Sequence, residues 1–230
     1  MKIRLLIISS ITKKIIMAIL GLFLIAFLLV HLGINLFILP ICENHAEMFT
    51  DAAHFMGTNW IVKVFEIVLI AVFIVHIIYG ILLSLQNWIA RGKFRYKTRN
   101  KTKTSFMSKY VIYTGLLILL FLILHFYNFF LIKFGLVSAP AAANIAMPQE
   151  EHFYNLAVWF FTNEIFFSII YIIAFIVLGL HLNHAFQAAF QTLGLNHSKY
   201  TPAIKIIGTL YSIIVPLGFI IIPVYFMIFA

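Results

Sequence analysis

Five apolar runs, each near or above the ~20 residues a helix needs to cross a bilayer, leave this chain little else to fold into. They lie at about 14–39, 60–88, 110–134, 156–186 and 203–229, with short connections between them. Only 10% of the 230 residues are charged, against about 25% in water-soluble chains. That excludes a soluble domain. In hydrocarbon each backbone N–H and C=O must be satisfied within its own segment, so each run is expected to be a helix. The expectation is an all-α integral membrane protein of five transmembrane helices, a single membrane domain over residues 1–230.

The formal charge of +9 suggests nucleic-acid binding until its distribution is read. With five spans, the N-terminus and the loops joining helices II–III and IV–V share one side. That side carries Lys2, Arg4, Lys13, Lys14, the run from Arg91 to Lys109, Lys199 and Lys205. The other side and its helix ends hold only Lys63 and Lys133, with all seven acids: Glu43, Glu47, Asp51, Glu66, Glu150, Glu151 and Glu164. By the positive-inside rule the N-terminus is expected to be cytoplasmic and the C-terminus outside; the family resemblance drawn below implies a bacterial inner (cytoplasmic) membrane. The basic run after Arg91 then lies among lipid headgroups, or binds anionic lipid or a protein partner. Nucleic acid is not an expected partner. The stretch after Lys14 is too long for a signal peptide and lacks a small-residue cleavage pattern, so it is expected to be a retained span. The single cysteine, Cys42, excludes an internal disulfide, and no Cys-x-x-Cys-His occurs for covalent haem.

Ionisable side chains inside a span are costly, and each calls for a reason. His31 falls in helix I, His76 in helix II, His125 in helix III, and His181 and His184 in helix IV; helix V has none. His31 and His125 lie seventeen and sixteen residues beyond Lys14 and Lys109, roughly 25 Å from the cytoplasmic ends at 1.5 Å per residue. His76 and His181 each lie seventeen residues beyond Asn59 and Glu164, roughly 25 Å from the opposite face. The histidines therefore form two pairs at two depths. Two haems, each held by one imidazole from either side, need that arrangement. With both axial positions filled, such haems carry electrons and offer no open site for bond chemistry. Helices I–IV are expected to form the haem-binding four-helix bundle, with helix V peripheral.

Gly21 and Gly115 each precede the histidine of their helix by ten residues, which sets them roughly 15 Å nearer the cytoplasm, at the inner haem's level. A missing side chain there gives the macrocycle room against backbone. Glycine also recurs in membrane helices for packing alone, and the sequence leaves both roles open. His181 and His184 share one face a turn apart; depth favours His181 as the ligand and leaves His184 as a haem contact. Lys13, Lys14 and Ser84 stand where propionates or headgroups are expected. On the acidic side, residues 43–57 read as a short surface helix after Pro40, with Glu47, Asp51 and His54 along one side. Glu66, within helix II, lies near the depth of the outer histidines. A lipid-soluble quinol oxidised there needs a proton acceptor, which makes Glu66 and His54 candidates; completing the charge asymmetry is the other role open to them.

The ordered set Gly21…His31, Ala52-Ala-His54-Phe-Met56, Phe65-Glu66-Ile67, His76-Ile-Ile-Tyr-Gly80, Gly115…His125 and His181-Leu-Asn-His-Ala-Phe-Gln-Ala-Ala-Phe-Gln-Thr-Leu-Gly194 resembles a known family. This is the cytochrome b membrane-anchor subunit of succinate:quinone oxidoreductases and quinol:fumarate reductases, in the class with one five-helix chain and two haems b. The resemblance runs from about Lys13 to Phe229. It implies His31 and His125 as iron ligands of the outer haem and His76 and His181 of the inner one. It also implies quinone, menaquinone foremost, as substrate near the outer haem. A flavoprotein subunit with FAD and an iron–sulfur subunit with its clusters are implied on the cytoplasmic face. Some fumarate reductases carry a glutamate two residues before the helix IV ligand; here that residue is Gly179, which leaves any such proton route absent or differently built. The alternatives are the cytochrome b subunit of a hydrogenase or formate dehydrogenase and, in another class, a small transporter or scaffold. Against the last, no inverted repeat or broken helix pair is evident. Pro216 and Pro223 interrupt only helix V, where kinks are expected.

Overall fold

The computed structural model describes residues 9–91, 106–143, 145 and 152–229. The basic run at 92–105, Lys2, Arg4, Glu150 and Glu151 lie outside them. Among the described residues the chain is helical without strands, and five helices are long and apolar enough to cross a membrane. In order the α-helices are α1 (Ser10–Asn35), the short α2 (His45–Thr58), α3 (Trp60–Arg91), α4 (Phe106–His125) with its last turn α5 (Leu131–Lys133), α6 (Phe153–Asn163), α7 (Ile165–Thr192) and α8 (Thr201–Phe229); the five long ones are α1, α3, α4 with α5, α7 and α8.

Local chemistry sets the helix ends. The Ser9 hydroxyl accepts from the Thr12 N–H at 3.1 Å and caps α1. Asn59 breaks α2 with extended backbone, while its side-chain oxygen accepts from Ile61 and Val62 to open α3. The surface helix expected after Pro40 is α2, with Glu47, Asp51 and His54 all exposed. Gly135 (φ 66°) and Gly194 (φ 81°) end α5 and α7 in the left-handed conformation that glycine adopts without strain.

Two expectations are corrected. The apolar run at 156–186 is not one helix: the chain turns at Glu164 (φ −111°, ψ 75°), separating α6 from the span α7. Ser168, fully buried, stitches the break by donating to the Phe161 carbonyl at 3.1 Å. Nor is helix V peripheral. α8 packs along the length of α7 and against α1 and α6, burying Val215, Phe219, Ile222 and Phe226 with Leu32, Tyr171 and Phe175 in the main core. Tyr211 of α8 donates to the Ile25 carbonyl of α1 at 2.6 Å. The α7–α8 approach is close enough that a Cβ on Gly179 would come within 2.8 Å of the Ser212 carbonyl oxygen. A glutamate has no room there, which gives Gly179 a packing reason. Pro216 lies at the same crossing, and α8 continues as one helix through both prolines.

Candidate cofactor site between the helices

α1 and α4 bring His31 and His125 together. Their ring centroids are 5.9 Å apart with planes 84° from parallel. An iron held between two imidazoles would take one from each of these helices. Phe27 stacks on His31 at 5.2 Å, and Phe219 lies 5.7 Å from it. Phe121, Phe129 and Tyr171 surround His125 at 5.5–6.2 Å. The Tyr171 hydroxyl is 3.4 Å from His125 Nδ1, and the Asn35 amide nitrogen is 3.4 Å from His31 Nδ1 while donating to the His31 carbonyl at 2.7 Å. A polar side chain thus attends Nδ1 of each ring.

His76 of α3 and His181 of α7 lie at the second level, against α1 and α4 respectively. Both rings lie against glycine. A Cβ on Gly21 would be 3.7 Å from His76 Cε1, and one on Gly115 would be 3.4 Å from His181 Cε1. The helices that carry the outer histidines therefore present bare backbone to the inner ones, ten residues down. His181 Nδ1 is 3.1 Å from the Thr114 hydroxyl. His76 Nδ1 is buried with no hydrogen-bond partner, and a buried polar atom left so in a native structure calls for an explanation. α3 packs chiefly on α1 and α4 chiefly on α7, while α3 and α4 scarcely meet. His184 is partly buried one turn along α7; His181, not His184, is the ring on Gly115.

The residues fit two haems on two grounds: imidazoles at two levels on neighbouring helices, and glycines that place no side chain on the inner imidazoles. Among the described residues no three His, Cys, Asp or Glu side chains cluster as a metal-ion site.

Glu66 has a partner the sequence did not reveal. Lys133 donates to both its carboxylate oxygens, at 2.8 and 3.0 Å, in a part-buried ion pair between α3 and α5. The reach depends on a π turn at Phe126–Phe130, directly after His125. Such a turn holds one residue more than an α turn, so the segment beyond it, α5, is rotated by about 100°. Asn128 within the turn is buried. Of the propionate candidates, Lys13 is buried, Ser84 half-buried and Lys14 exposed.

No family model, curated relative or solved structure matches this chain.

Proposed function

We propose that this chain is the membrane anchor and di-haem b electron-transfer subunit of a succinate dehydrogenase or fumarate reductase complex. It passes electrons between a cytoplasmic iron–sulfur subunit and membrane quinone, menaquinone foremost. The reading puts the N-terminus in the cytoplasm of a bacterium and the flavoprotein and iron–sulfur subunits on the basic face. One observation carries it: His31 and His125 meet between α1 and α4, and His76 and His181 lie against glycines of those same two helices, ten residues away.

His31 and His125 are the proposed ligands of the outer haem, and His76 and His181 of the inner. Bound there, each haem supplies a one-electron couple. The protein's own part is to fix four imidazoles, keep them neutral in an apolar interior and exclude water from between them. Phe27, Phe121, Phe129 and Phe219 wall the outer pair against solvent. Glu66 and His54 are the proposed proton-handling groups of the quinol site. The Lys133 ion pair refines the role of Glu66: the carboxylate is steered by an ammonium, and a quinol hydroxyl approaching it meets an acceptor and a donor side by side.

The test is a haem count on the purified membrane complex by pyridine haemochrome, followed by addition of succinate or a quinol. Two haems b per chain, reducible by either donor, are expected. A haem-free preparation sinks the reading and favours a transporter or scaffold; haems reduced only with hydrogen or formate point to the other cytochrome b class.

A further inference from the structure

The two inner histidines are held unequally. Thr114 Oγ1 lies 3.1 Å from His181 Nδ1 and also donates to the Val111 carbonyl of its own helix at 2.9 Å. A threonine hydroxyl has one hydrogen, and a carbonyl can only accept. With that hydrogen on the Val111 carbonyl, Oγ1 offers His181 a lone pair, and Nδ1 carries the ring's proton. In a neutral imidazole with Nδ1 protonated, Nε2 keeps its lone pair, and that is the form able to bind a metal.

We infer that Thr114 is a positioning residue which locks His181 in the Nδ1–H tautomer and makes it the more strongly donating of the two inner ligands. This deepens the di-haem reading and rests on it. Gly115, the next residue, keeps the ring's Cε1 edge free of side chain. Adjacent positions of α4 thus play complementary parts, one clearing space for the imidazole and the other orienting it. His76 faces Gly21 with no hydrogen bond at its buried Nδ1, so the asymmetry lies within a single cofactor site. A hydrogen bond from Nδ1–H raises ligand basicity, which favours the oxidised iron and holds the inner couple low.

The experiment is a potentiometric titration of both haems in the assembled complex, comparing wild type, Thr114→Val and Thr114→Ser. Valine keeps the shape and loses the hydroxyl; serine keeps the hydroxyl and loses the methyl. Thr114→Val is expected to retain the outer haem unchanged and to raise the inner midpoint or release the inner haem alone, with Thr114→Ser close to wild type. An inner midpoint unmoved in Thr114→Val overturns the inference, as does loss of the inner haem in both variants, which assigns the position to packing. A wild-type complex without haem is a different failure, that of the parent reading.

Discussion

The two histidine levels are built by opposite means. The outer level is filled: His31 and His125 sit among aromatic rings 5.2–6.2 Å away, and Asn35 and Tyr171 attend their Nδ1 atoms. The inner level is cleared: His76 and His181 face Gly21 and Gly115, and one of them has an Nδ1 without any partner. One chain thus holds the same side chain in two environments, a crowded one that fixes it by contact and an open one that fixes it, on one side only, by a hydrogen bond. Two levels so different give identical side chains different surroundings. They also respond differently, since truncation injures the first while the second tolerates a small addition.

The sharpest way to separate the levels is to remove one ligand from each. His76→Ala is expected to lower the haem count per chain from two to one by losing the inner haem, and His125→Ala to do the same at the outer level. Redox difference spectra assign which remains; loss of both haems or of neither from one substitution breaks the pairing. A smaller effect belongs to the outer level alone. Glu66→Gln removes one charge of the Lys133 pair and is expected to slow quinol turnover by on the order of 10²-fold, with both haem spectra intact. Unaltered turnover takes Glu66 out of the mechanism. Smallest is the contrast in packing, read as melting temperature in detergent. Phe219→Ala, beside His31 and Phe175, is expected to cost about 3–5 kcal/mol. Gly115→Ala adds a methyl 3.4 Å from the His181 ring, an ordinary contact, and is expected to stay within about 1 kcal/mol. Equal costs for the two would erase the distinction between a filled and a cleared level.

Hydropathy makes the spans legible because a bilayer tolerates only long apolar helices. A rise of 1.5 Å per residue is enough to sort the histidines into two levels, since membrane helices run nearly across and depth comes from counting. Features that depend on contacts between segments, or on hydrogen-bond register, are not legible in this way. The π turn after His125 is written in Phe-Tyr-Asn-Phe-Phe, residues that an α-helix accepts equally well, so the rotation that brings Lys133 to Glu66 leaves no compositional trace. The break at Glu164 does have a trace: the polar triplet Thr162-Asn163-Glu164 within an apolar run. The expectation of a peripheral helix V rests on its lack of histidine. The small residues Gly208 and Ser212, one turn apart and both buried on α8, carry the contrary signal of close packing. Thr114 is invisible for the same reason as Lys133, its partner lying 67 residues away.

The tight seat of Gly179 on the Ser212 carbonyl has a consequence for biogenesis. It joins α7 to α8, which follows it in the chain, as a closely fitted hairpin. The three earlier spans enter the lipid before their principal wall exists. Closure around His31 therefore waits on α8, and a nascent chain halted before it lacks Phe219, which lies on His31, and Tyr211, which ties to the Ile25 carbonyl of α1.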